Sequence, residues 1–175
     1  MQTKTTKRTF LIITLALAAA SGMLAMTSMP AGPGHGHDSK PAASHTKPAQ
    51  TPGLAIAHAY IAGMEAADLD ALSALFLADG KSSILENASN EGTWEYYSEH
   101  HLAPELEVVK AFKFDIAQES EKTFGDTILV EQTGAFTIEI NDETLNYRVA
   151  VSYLLVHENH QLKIAHLHWS SRPKK

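Results

Sequence analysis

The sequence predicts an α+β fold, with the helices gathered on one side of a long-stranded antiparallel sheet. Three observations carry this. From Pro52 to Leu102 the apolar residues recur at spacings of three and four, the period of a one-sided helix. From Phe112 to Trp169 they alternate with period two, the pattern of strands with one buried face. Turn signals at Gly125-Asp126 and Asn141-Asp142-Glu143 divide that second half, with no helical pattern left over to build a parallel crossover.

The first helix is predicted between Pro52 and Ala67, where Ala57, Tyr60, Ile61 and Met64 form the stripe, Thr51 is the cap and Pro52 the helix-starting proline. Asp68 caps a second helix with the stripe Leu69, Leu72, Leu75 and Phe76, so the two make a hairpin. Asp79-Gly80 turns into a short strand near Ser82 to Glu86, followed by a polar loop from Asn87 to Gly92. Thr93 opens a third helix, TWEYYSEHHLA, which Pro104 terminates or follows closely and which carries Trp94, Tyr97 and His101 on one stripe.

Four strands follow. Phe112, Phe114 and Ile116 give the first its apolar face. Ile128, Val130, Phe136, Ile138 and Ile140 share parity in the second, where Gly134 marks a bulge or bend. Leu145 to Leu155 form the third, whose other side also carries the apolar Ala150, Leu154 and Val156. The last runs to Arg172, and strict alternation puts Ile164, His166, His168 and Ser170 on one face, with Ala165, Leu167 and Trp169 on the other.

Ahead of this domain, residues 1–31 combine Lys4, Lys7 and Arg8 with the apolar run Phe10 to Ala20 and then small residues, the layout of a secretory signal. Export to a periplasmic or secreted location is expected, or membrane anchoring if the segment is not cleaved. Residues 32–51 read as a Gly-, Pro- and His-rich linker in which His35, His37 and His45 either are solvated, the favoured reading, or bind a transition metal loosely, and residues 52–175 as the folded domain. The absence of cysteine removes disulfides and thiol nucleophiles, so the core alone must hold the fold. Beyond residue 31 there are 11 bases against 20 acids, a formal charge of −9, which disfavours a nucleic-acid partner. No motif asks for a cofactor.

The helix hairpin AxxAYIAGMEAADLDAL from Ala55 to Leu72, the His100-His101-Leu102 run and the terminal KIAHLHWSS make the chain resemble the nuclear transport factor 2-like superfamily, in particular SnoaL-like members and the association domain of calmodulin-dependent kinase II. The resemblance spans Pro52 to Arg172. It implies a cone-shaped curved sheet wrapped round three helices, with Ile164, His166, His168 and Ser170 inside and Leu167 and Trp169 turned toward a second copy in a homodimer. It also implies a ligand pocket lined by Tyr60, Trp94, Tyr97, His101, Phe114, Tyr147, His166, His168 and Ser170.

Three functions follow from these residues. The first is small-molecule binding in an aromatic, histidine-containing pocket. The second, by the resemblance, is an isomerase, cyclase or dehydratase, with His166 or His168 as general base and Tyr97 or Tyr147 donating to an enolate oxygen. The third is a transition-metal site built from His101, His166 and His168. No pocket carboxylate can be assigned from the pattern.

Overall fold

A computed structural model describes residues 50–174. The expected signal and most of the linker, including His35, His37 and His45, lie outside the described residues. Helix α1 spans Pro52–Ala66 and α2 Leu69–Ser73. Strands β1 (Ser83–Glu86) and β2 (Ser89–Gly92) follow, then α3 (Trp94–Tyr97), a π-helical turn (Ser98–Leu102) and α4 (Ala103–Leu106). Four long strands complete the domain: β3 (Val109–Phe124), β4 (Thr127–Ile140), β5 (Glu143–Glu158) and β6 (Gln161–Pro173). Among the described residues no helix is long and apolar enough to cross a membrane.

The strands form one curved sheet in the order β2-β1-β6-β5-β4-β3, antiparallel except for the β1–β6 pair. Helix α1 lies across β3, β4 and β6, and α3 sits over β1 and β2, so one sheet face is covered by helices. The core between them contains Tyr60, Leu72, Ile84, Leu102, Val130, Val151, Tyr153, Leu155, Ile164 and Leu167. Local signals behave as their chemistry requires at the caps: Asp68 Oδ1 accepts from Ala71 N at 2.9 Å, and Pro52 stands in the first turn of α1.

Two local expectations are corrected. The polar segment after Glu86 is a hairpin, not a loop, because Asn87 and Ala88 take positive φ angles of 45° and 71° and return the chain as β2. Pro104 does not end the third helix. It cannot donate a hydrogen bond and its ring crowds the preceding turn, so the helix widens into the π turn, with Ala103 N bonding to Ser98 O, and resumes as α4.

Two bulges decide which residues face the helices. On β3 the pairing steps from Ile116↔Gly134 to Gln118↔Thr133, leaving Ala117 extra and reversing the parity beyond it. Glu119 and Glu121 therefore turn inward: Glu121 accepts from Leu54 N at 3.0 Å, and Glu119 meets His58 Nε2 at 2.7 Å. On β6 the pairing steps from Leu155↔Ile164 to Leu154↔His166, leaving Ala165 extra. Its origin is visible nearby, since Ile164, within β6, also exchanges backbone hydrogen bonds with Leu75 and Leu77, which pin it in place.

The β6 bulge overturns the expected orientation. Ile164 and Leu167 lie on the same, helix-covered face, and Trp169 joins them at 6 % exposure. His166, His168 and Ser170 point away from the helices, His168 and Ser170 being exposed. Leu167 and Trp169 thus belong to the protomer's own core and do not lie on the outer sheet face through which a homodimer is expected.

Candidate functional site

The site is built on β1. Ile84 is fully buried against the helices, and a strand returns to the same face two residues later, so Glu86 is carried to the inner side. Pairing with β6 sets Glu86 beside Trp169. The carboxyl is met by the phenol of Tyr97, which donates to Oε2 at 2.8 Å. Tyr97 is delivered by α3, whose start is fixed by Thr93 accepting from Tyr96 N and by Ser82 Oγ accepting from Trp94 N at 3.1 Å.

Loss of water is the largest influence on Glu86 and raises its pKa, against the lowering effects of the Tyr97 hydrogen bond and the His101 charge. Burial likewise pushes the phenols of Tyr60 and Tyr97 well above their usual range, with the Glu86 charge adding to it. The two tyrosines therefore remain donors, and the carboxyl is the group whose proton can move.

His101 is held by the π turn at the rim of this cluster. Its Nδ1 lies 3.0 Å from Glu91 on β2 and its Nε2 3.1 Å from Glu105 on α4. Two carboxylate acceptors require two N–H donors, and its pKa is raised to about 9, chiefly by Glu105 and then Glu91, against the cost of burial. His101 is thus an imidazolium clasp joining β2 to α4, and Glu91 is held below the usual carboxylate range by bonds from Ser89 and His101.

The sign of the linkage can be tested. The His101 contribution to stability is fully present below the ordinary imidazole pKa of about 6.5 and is lost as pH rises through about 9. Since 30 % of the side chain is exposed, its worth is screened to about 1 kcal/mol. His101→Gln should lower the urea midpoint at pH 6.5 and match the parent at pH 10. An equal deficit at both values would refute the charged clasp.

The expected lining is only partly assembled. Tyr60, Trp94, Tyr97, Phe114 and Tyr147 are buried on the inner side, with His101 at its edge. Tyr97 lies 6.1 Å from Trp94 and 5.0 Å from His101 between ring centres, as the helical stripe predicts. A second group of rings centres on Phe136, 4.9 Å from Tyr147 and 5.5 Å from Trp169, with Phe114 6.1 Å from Trp169. A surface cavity of about 350 Å³ opens elsewhere, beside Ser73, Leu77, Trp94, Glu95 and Ser98, and shares only Trp94 with the expected lining.

His166, His168 and Ser170 are corrected out of the pocket. They occupy the opposite sheet face, where the Nδ1 of His166 lies 2.7 Å from Ser83 Oγ. Neither histidine can act as a base on a molecule held beside Glu86. The three-histidine metal set is not assembled either: both nitrogens of His101 are taken by Glu91 and Glu105, and among the described residues no group of three His, Asp or Glu side chains is arranged for a metal. Sequence reasoning missed Glu86. Its signal was the Ser-Ile-Leu-Glu strand, where alternation puts a carboxylate on the same face as the apolar Ile84.

Comparison with known proteins agrees with this architecture. The model of the SnoaL-like domain family matches residues 54–173. No curated protein matches the chain. Among solved structures, a nuclear transport factor 2-like superfamily protein from Salmonella enterica is similar with a TM-score of 0.62 at 18 % identity, covering 69 % of this chain and 88 % of that one. A candidate ketosteroid isomerase from Shewanella frigidimarina gives 0.61 at 15 % identity, covering 69 % and 95 %. A candidate calcium/calmodulin-dependent protein kinase type II association domain from Thiobacillus denitrificans gives 0.58 at 17 %, covering 74 % and 100 %. At these identities the likeness is one of fold.

Proposed function

Because this chain belongs to the SnoaL-like domain family, we propose that it binds a small, largely apolar molecule bearing one carbonyl or hydroxyl group at the Glu86–Tyr97 pair. The observation that carries the reading is a desolvated carboxyl hydrogen-bonded by a buried phenol and registered beside the buried Trp169. Aromatic walls with a few convergent polar groups are the usual makeup of such a site. The ligand's oxygen takes a hydrogen bond from Tyr97, and its apolar body packs near Trp169.

A second reading, isomerase-like proton transfer, is favoured by the raised pKa of Glu86 and by the neighbour named a candidate ketosteroid isomerase. Glu86 as carboxylate takes a proton from the carbon beside a carbonyl, Tyr97 donates to the resulting enolate oxygen, and Glu86 returns the proton to the conjugated position. The base is then a carboxylate and not His166 or His168.

Both readings are tested with the parent chain and Glu86→Gln. Binding of 2-naphthol, followed by tryptophan fluorescence, should saturate with the parent and weaken at least tenfold in the variant. Conversion of a β,γ-unsaturated cyclic ketone to its conjugated isomer, followed by ultraviolet absorption, should fall at least 100-fold in kcat. Binding that is equal in the two proteins would remove the Glu86 site. Binding without turnover in the parent would leave the first reading and sink the second.

A further inference from the structure

We propose that His166 and His168 form a two-imidazole chelate for a divalent transition-metal ion, copper(II) foremost, on the outer face of the sheet. The Ala165 bulge is what makes the pair available, because it turns both rings to the side opposite the helices while Leu167 between them stays in the core. Residues two apart on a strand stand on one face about 6.6 Å apart. Two imidazoles leaning together from that spacing can place a nitrogen each about 2.0–2.1 Å from one ion.

The setting is rigid and roomy. β6 is flanked on both sides, so His166 is registered against Ser83 of β1 and Leu154 of β5, and His168 against Leu85 and Ser152. Serine on one side of each ring leaves space for the ion and for waters completing its coordination. The Ser83 hydroxyl lies 2.7 Å from Nδ1 of His166, and with Nδ1–H donating to it the Nε2 lone pair is left for the ion, the kind of support that orients a metal-bound imidazole. Among the described residues neither ring forms a salt bridge, whereas His58 is bound by Glu119 and His101 by Glu91 and Glu105. Imidazole donors suit borderline dications, and copper(II) heads the affinity order among them.

This site is on the other side of the sheet from Glu86 and is independent of the function proposed there. It is tested with the full chain, purified without a tag and with His35, His37 and His45 changed to alanine so that those imidazoles cannot compete. Titration with copper(II) against glycine as a competing chelator, read by calorimetry and by electron paramagnetic resonance, should show one equivalent bound through two nitrogens. His168→Ala should weaken that equivalent at least tenfold, and Ser83→Ala should weaken it severalfold by freeing the His166 ring. His168 is exposed, so the urea midpoint of its variant should equal the parent's. Copper affinity in His168→Ala within twofold of the parent, or a resonance with a single nitrogen, would overturn the proposal.

Discussion

Trp169→Ala is expected to destabilise the domain by about 3–5 kcal/mol, the range for truncating a large core aromatic, while His168→Ala, one residue earlier, should change stability by less than about 0.5 kcal/mol. The indole is 6 % exposed and lies 5.5 Å from Phe136 and 6.1 Å from Phe114 between ring centres. Removing it leaves a cavity walled by β3, β4 and β1, all fixed by backbone pairing and poorly able to collapse. The loss also takes away the neighbour of Glu86, so surviving protein should bind 2-naphthol less well than the parent. Urea unfolding at neutral pH distinguishes the two faces of β6 directly. If His168→Ala proved the costlier change, the bulge at Ala165 would be in the wrong place and the outward histidines with it.

Gly134→Ala should cost about 3 kcal/mol, the upper end for forcing extra atoms into a packed interior. A Cβ at Gly134 would stand 2.1 Å from the carbonyl oxygen of Asp115 and 3.2 Å from Cα of Ile116. These are backbone atoms, so no rotamer change can relieve the contact. The only escape is to shift β3 past β4, and that disturbs the step at Ala117 that turns Glu119 and Glu121 inward. Glu121 holds the Leu54 N–H at the start of α1, and Glu119 also takes a bond from the buried Gln132, itself bonded by the Tyr153 phenol at 3.2 Å. The variant should therefore lose its urea midpoint and, in amide exchange, lose protection first in the opening turn of α1. A cost under 1 kcal/mol would mean that the two strands are not in the close approach described.

Much of the scaffold is legible in the residues. The α1 stripe with Tyr60 and Met64, the Asp68 and Thr93 caps, the shared parity of Val130, Phe136 and Ile138, and the inner face of β5 from Tyr147 to Leu155 all occur where the sequence predicts them. Each is set by interactions within a few residues or by an unbroken period, and both can be read from order alone. Gly134 could be marked as a bulge or bend for the same reason, since a glycine among β-branched and aromatic residues needs a backbone explanation.

The site was harder to see. Tyr60, Trp94, Tyr97, Phe114 and Tyr147 were recognisable as aromatic residues of inward parity, and they are buried. Glu86 is hidden in the sequence because a carboxylate at the end of a four-residue strand reads as a solvated strand end until the Tyr97 phenol, carried by the next helix, closes on it at 2.8 Å. By sequence His101 is a candidate metal ligand with His166 and His168. Its two carboxylate partners come from β2, which the sequence presents as a loop, and from α4, which lies beyond Pro104.

By itself, the sequence determined the order of elements, most of the caps and the α+β class, because these depend on local propensity and on periods that nothing interrupts. The tertiary structure alone decided which way His166, His168, Leu167 and Trp169 face. Period-two alternation carries no information about a single inserted residue, and Ala165 is extra next to Ile164, which is held by the segment at Leu75 and Leu77, some ninety residues earlier in the chain. One such step moved the histidines out of the core, brought Trp169 beside Glu86, and with that exchanged a histidine site for a carboxylate–phenol one.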